Sequence, residues 1–90
     1  MTGNVLLLLT DGTEEMEAVI TCDILSRAGL KVVRMAVATA DGQTVHCANG
    51  MTLLADGQLT SPSISKDFDL LVLPGGGKGS KTFCQVIANL

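Results

Sequence analysis

The run Leu70-Leu71-Val72-Leu73 stops at Pro74 and opens into Gly75-Gly76-Gly77-Lys78-Gly79. A continuous apolar run of this length, bounded by turn signals, predicts a strand buried on both faces of a parallel sheet. Glycines after its carboxyl end take positive φ readily and let backbone N–H groups approach a ligand. Such a turn can cradle an anion or an oxyanion, and the pattern is that of an α/β protein building a site.

The rest of the chain supplies the partners that this strand needs. Residues 5–9 predict a second buried strand, followed by turn chemistry at Thr10-Asp11-Gly12-Thr13 and a helix over about 14–28. Asp11 with Glu14 fits a capping box, and Thr13 is an equally good N-cap. Gly29 stands where a C′ glycine belongs, with Leu30 placed for the accompanying apolar contact. Residues 31–37 are β-rich and complete a strand–helix–strand unit, expected to be a right-handed parallel crossover. Asp41-Gly42, Asn49-Gly50 and Asp56-Gly57 punctuate the next stretch and leave 44–47 and 51–54 as short strands of a small β-hairpin excursion. Ser61-Pro62-Ser63 opens a connector. Phe83, Val86, Ile87 and Leu90 fall at i, i+3, i+4 and i+7, one face of a last helix with Ser80 as its N-cap. Three parallel strands and two helices leave 69–73 as a hydrophobic edge unless further strands follow, in this chain or another. Residues 1–90 therefore read as one partial domain, the amino-terminal half of a larger fold.

Composition narrows the function classes. A chain of 90 residues buries roughly 60–65% of its unfolded surface. With no Trp or Tyr and two Phe, its core must come from Leu, Val, Ile, Met and Ala. The longest aliphatic run, 5–9, is too short for a signal-peptide core or a transmembrane helix, so no membrane partner and a cytoplasmic location are expected. The net charge is −3 and the six basic residues are scattered, which offers no stripe for nucleic acid. Cys22, Cys47 and Cys84 are odd in number and lack C-x-x-C spacing. They predict reduced thiols, with neither a disulfide framework nor a metal site, and no cofactor is expected.

All three glutamates, Glu14, Glu15 and Glu17, lie in the first turn of the first helix. The simplest role for acids there is to complement the helix dipole and cap orphan N–H groups. Helical angles separate them, however. Glu17 projects between Ile24 and Ala28 and near Ile20, which predicts a largely buried carboxyl close to the Gly75-Gly76 turn. A buried carboxyl can stay protonated and donate a hydrogen bond to a neighbouring anion or nucleophile. On the same helix Met16, Ala18, Val19, Ile20, Cys22, Ile24, Leu25 and Ala28 surround almost the whole wheel, so a missing half or a second subunit is expected against it. Asp23 and Arg27 form an i, i+4 pair on the remaining polar strip. Residues 75–82 also come within one residue of G-x-x-x-x-G-K-[ST], with Ser80 in place of the second glycine, which leaves phosphate or nucleotide binding at Gly75 through Thr82 as a remote alternative.

Taken together, the segments Asp11-Gly12-Thr13-Glu14-Glu15-Met16-Glu17-Ala18-Val19, Asp23-Ile24-Leu25-Ser26-Arg27-Ala28-Gly29-Leu30-Lys31-Val32 and Leu71-Val72-Leu73-Pro74-Gly75-Gly76-Gly77-Lys78-Gly79, with Leu53-Leu54-Ala55-Asp56 between them, resemble the ThiJ/PfpI family and its DJ-one-like branch. The resemblance implies a flavodoxin-like doubly wound parallel sheet, usually in a homodimer, and a nucleophilic cysteine on a strained elbow. Implied activities are glyoxalase chemistry on methylglyoxal, removal of early glycation adducts, and oxidative-stress or chaperone roles. It assigns Glu17 to the acid bonded to the nucleophile, Glu14 to a second acid in the pocket, and the Gly75 and Gly76 amides to oxyanion binding. The family's nucleophile elbow and downstream histidine would lie beyond Leu90. This chain alone is therefore expected to be inactive, with a second copy or a complementing half as its partner and a small aldehyde or glycated molecule as substrate. A non-catalytic truncated paralogue, acting as a dimerisation or partner-binding module, is the alternative. Cys47, by resemblance near a dimer interface, is the candidate oxidisable thiol. Its neighbour His46 should point to the opposite face of the strand, so the two should not form a catalytic pair.

Overall fold

The computed structural model describes residues 3–59 and 68–88. In chain order the elements are β1 (Asn4–Leu9), α1 (Glu15–Arg27), β2 (Lys31–Val37), β3 (Thr44–His46), β4 (Thr52–Leu54), β5 (Gly57–Leu59), β6 (Leu70–Val72) and α2 (Gly77–Ala88). Four of the strands form one sheet in the order β5-β2-β1-β6, with every pairing parallel. The hairpin β3–β4 is antiparallel and stands apart as a two-stranded sheet. The expected parallel α/β architecture with a hairpin excursion is present. The Ser61-Pro62-Ser63 connector, Leu90 and the Ile87 side chain lie outside the described residues.

β1 is central, and its alternation builds two cores. Leu7 and Leu9 point to the face that carries Ala18 of α1 together with Ala36, Val45 and Ala55. Leu6 and Leu8 point to the other face, against Val37 and Phe83 of α2. A period of two along one aliphatic strand thus places one helix on each side of the sheet. α1 ends in a Schellman arrangement, with Leu30 N–H donating to the Leu25 carbonyl, Gly29 N–H to the Ser26 carbonyl, and Gly29 at φ +91°.

Several local expectations are corrected. Glu14 caps α1, its carboxylate accepting from Glu17 N–H at 2.9 Å, while Asp11 and Thr13 do other work: Asp11 accepts from Ala40 and His46 N–H, and Thr13 Oγ1 accepts from Thr10 N–H. α2 begins at Gly77, and Ser80 lies within it, donating its N–H to the Gly76 carbonyl. Asp56-Gly57 does not turn the chain into a further loop. Gly57 opens β5, a strand that the sequence hides because it is short and contains glycine, and Asp56 instead pairs with Arg34. β6 is also less covered than its apolar run implies: Leu70, Leu71 and Leu73 are 46%, 36% and 38% exposed. The reason is its place at the sheet edge, paired to β1 alone.

The carboxyl ends of β1 and β6 meet through backbone. Gly76 sits at φ +125°, and a Cβ there would land on the Gly12 carbonyl oxygen and 2.9 Å from Glu14 N. Gly77, one residue on, has open space around its Cβ position and no positive φ. Gly76→Ala should therefore destabilise the fold by at least about 2 kcal/mol. Gly77→Ala should be neutral or stabilising by up to ~1 kcal/mol, because it only removes unfolded-state freedom. Urea unfolding of the two variants checks the contrast, and equal effects would show that this junction is not close-packed.

Candidate functional site

Three segments converge beyond the carboxyl end of β1. Glu14 N–H donates to the Gly75 carbonyl at 2.8 Å, Gly12 N–H to the His46 carbonyl at 2.9 Å, and Ala48 N–H to the Thr13 carbonyl at 2.9 Å. The Asp11 carboxylate reinforces the arrangement, accepting from Ala40 and His46 N–H at 3.0 Å each. Burial works to raise the Asp11 pKa, but those two backbone donors and the charges of His46 and Lys78 outweigh it and hold the carboxyl below its ordinary value. An open cleft of about 460 Å³ lies beside the junction, between Asp11, His46, Cys47 and Lys78.

The three glutamates have three different environments. Glu17 reaches the glycine turn: a Cβ on Gly75 would fall 2.6 Å from Glu17 Oε2 and 2.9 Å from Oε1. Only a glycine lets the carboxylate lie this close to the backbone. Glu17 is exposed in this chain, contrary to the expected burial, because the helix face it shares with Ile20 and Ile24 is itself uncovered. Glu14 is drawn to the same place through its backbone N–H. Its carboxylate caps α1 and accepts from Asn49 Nδ2 at 3.1 Å. The buried acid is Glu15, 6% exposed, whose carboxylate accepts from Asn49 N–H, Asn49 Nδ2 and Met51 N–H at 2.9–3.2 Å. Its own backbone N–H, then Met51 and Asn49, hold its pKa below the ordinary 4.5 despite the opposing effect of burial.

Glu15 is the structural residue that helical angles miss, since its partners lie 34–36 residues away in the hairpin loop. The Asn49-Gly50 turn is the one sequence signal that points to it, because a tight turn leaves backbone donors without strand partners.

The thiols are dispersed. Cys22 on α1 receives a hydrogen bond from Arg34 Nη1 at 3.6 Å. Cys47 lies within 4.0 Å of the Val45 carbonyl, and burial, followed by the charges of Glu15, Asp11 and Glu14, pushes its pKa up, which disfavours the reactive thiolate. Cys84 is exposed on α2. His46 pairs through Nε2 with Asp41 Oδ2 at 3.3 Å. Among the described residues no group of three or more His, Cys, Asp or Glu is arranged to hold a metal ion, and no helix is long and apolar enough to cross a membrane.

Known proteins share this fold. The model of the DJ-1/PfpI family matches residues 3–88. Protein dj-1beta of Drosophila melanogaster is 40% identical over 80 residues, which cover 89% of this chain and 41% of that protein. The glutathione-independent glyoxalase DJR-1.2 of Caenorhabditis elegans is 36% identical over 86 residues, 94% of this chain and 44% of the relative. The crystal structure of Drosophila melanogaster DJ-1beta superposes with a TM-score of 0.84 at 35% identity, over 99% of this chain and 47% of that one. The VC2308 protein gives the same TM-score of 0.84 at 38% identity, over 98% and 43%. The chain thus spans less than half the length of these relatives.

Because Glu15 has a depressed pKa in the folded state, its bonds stabilise the fold above the ordinary carboxylate pKa and are lost as pH falls from about 4.5 toward the folded value. Glu15→Gln should lower stability at neutral pH and flatten the acid-side decline between those limits, read by thermal melts across pH. A variant whose decline keeps the wild-type shape would show that the Asn49–Met51 loop is held by other contacts.

Proposed function

The chain belongs to the DJ-1/PfpI family, and from that premise we propose that it supplies the acid and the oxyanion turn of a cysteine-dependent glyoxalase or deglycase acting on small aldehydes or early glycation adducts. The observation that carries this reading is the Glu17 carboxylate lying against Gly75 at the carboxyl ends of β1 and β6. Open parallel sheets place their sites there. In the proposed reaction a thiolate adds to the aldehyde carbon, the carbonyl oxygen takes up the negative charge beside the Gly75 and Gly76 amides, and Glu17 exchanges a proton with the sulfur or the adduct. Glu14 keeps the turn in place through its N–H to Gly75 and serves as the second acid. The Caenorhabditis elegans relative, a glutathione-independent glyoxalase by name, supports the substrate class.

None of the three thiols suits the nucleophile's role: Cys22 lies at Arg34, Cys47 is disfavoured as a thiolate, and Cys84 is exposed on α2. The proposal therefore assigns the nucleophile to further polypeptide, which the uncovered edge of β6 is suited to receive. Free thiols support a reducing, cytoplasmic setting. A dimerisation role is favoured independently by α1, where Met16, Val19, Ile20 and Ile24 are 63%, 49%, 49% and 59% exposed.

In a protein that carries the complete domain, Glu17→Gln should slow methylglyoxal consumption by at least about 100-fold, the usual contribution of a positioned acid or base. In the 90-residue chain, where the Glu17 side chain is exposed, the same substitution should cost less than about 1 kcal/mol of stability. Undiminished turnover would remove Glu17 from the mechanism. The isolated 90-residue chain should consume none, and steady consumption abolished by alkylating Cys47 or Cys84 would move the nucleophile into this chain. Sedimentation should show the chain associating beyond its 9.3 kDa monomer mass. A stable, well-folded monomer would contradict the pairing of α1.

A further inference from the structure

Glu14 touches both parts of the candidate site, and the side chain that fixes Glu14 belongs to neither. The Glu14 N–H donates to the Gly75 carbonyl at 2.8 Å, while Glu14 Oε2 accepts from Glu17 N–H at 2.9 Å. One residue thus ties the glycine turn to the first turn of α1, from which the Glu17 side chain projects. The second oxygen, Glu14 Oε1, accepts from Asn49 Nδ2 at 3.1 Å. Asn49 stands between β3 and β4, 35 residues away along the chain. Its Nδ2 also donates to Glu15 Oε1 at 2.9 Å, and its backbone N–H donates to both Glu15 oxygens at 3.0 Å.

A primary amide carries two N–H donors, and here each of two carboxylates takes one. Turning the amide over would set Oδ1 against both carboxylates, so the network fixes its orientation. The two bonds do different work. Glu15 keeps the loop without the Asn49 side chain, since the backbone N–H groups of Asn49 and Met51 still donate to it. For Glu14 Oε1, among the described residues, Nδ2 of Asn49 is the side-chain donor in reach. Without it the half-buried Glu14 carboxylate regains its side-chain torsions, and the cap on Glu17 N–H loosens. We propose that Asn49 is a positioning residue: acting through Glu14, its amide holds the start of α1, and with it Glu17, against the glycine turn. For its chemical consequence the inference rests on the proposed function, and for its geometry on these hydrogen bonds alone.

Hydrogen exchange on the unaltered 90-residue chain and on Asn49→Ala tests the geometry. The Glu14 and Glu17 amides should exchange about tenfold faster relative to those of β1, the worth of one hydrogen bond to a charged group. Uniform acceleration, as from a loop that merely stabilises the fold, or no change at all, would overturn the assignment. Asn49→Asp keeps the shape and loses the donors, so it should loosen the same two amides at least as much. A wild-type pattern in Asn49→Asp would show that bulk rather than donation does the holding, and would also overturn it. The chemical consequence is read in a protein that carries the complete domain. There Asn49→Ala should lower kcat for methylglyoxal roughly tenfold with KM within about twofold, and should cost nothing further once Glu14 is replaced by Ala. An equal loss in the Glu14→Ala background, or an unchanged kcat where Glu17→Gln is slowed, would remove Asn49 from the mechanism. Glu17→Gln judges the proposed function separately. If it leaves turnover intact, that reading fails, while the exchange pattern still decides whether Asn49 positions Glu17.

Discussion

The contact on which this structure depends is made without side chains. Gly76 and Gly12 pass so closely that a single Cβ would collide with the opposing carbonyl, and the Glu14 N–H to Gly75 carbonyl bond closes the same junction. That contact ties the end of β6 and the start of α2 to the loop that launches α1. It thereby fixes the start of both helices relative to the sheet, although α1 and α2 pack on opposite faces. Backbone packed on backbone has few rotamers to lose and little slack, so the position of anything attached to it is well determined. Glu17, one turn into α1, inherits that precision.

Three neighbouring carboxylates acquire separate roles from this frame. Glu14 stands at the helix start, where an orphan N–H lies within reach, and becomes a cap. Glu15 turns toward the hairpin and satisfies donors that the Asn49-Gly50 turn leaves unpaired. Glu17 points along the face nearest the glycine turn. Identical chemistry is differentiated by angles of about 100° per residue around the axis and by which distant segment fills each direction. The hairpin is therefore part of the site's support, since removing its bonds to Glu15 and to the Asp11 loop would release the segment that orients Glu17.

Much of this was legible in the sequence wherever the information is local. The aliphatic run of β1, the Gly29 stop of α1, the Asp23–Arg27 pair and the hairpin turns rest on neighbours within a few residues, and all are observed where expected. The association of Glu17 with Gly75 was also readable, from its helical angle and the rule for sites at strand carboxyl ends. What failed needed long-range knowledge. The choice between Asp11, Thr13 and Glu14 as cap depended on where Ala40 and His46 place their N–H groups. The burial of Glu15 depended on a loop 34 residues away. β5 was hidden because three residues beginning with glycine carry no periodicity, and pairing to β2 alone makes them a strand.

The uncovered surfaces and the candidate site are linked through the dielectric around one carboxylate. Glu17 shares its helix face with Ile20 and Ile24, both about half exposed, and is itself exposed for the same reason. A carboxylate in water is well solvated and acts chiefly as an acceptor, whereas one covered by apolar surface is driven toward the protonated form that can donate to an anion. Covering this face with apolar polypeptide would therefore bury Met16, Val19, Ile20 and Ile24 and change the medium in which Glu17 works. In the proposed function, geometry and medium have separate origins. The glycine junction sets where the acid stands, and whatever packs on α1 and beside β6 sets how much water reaches it.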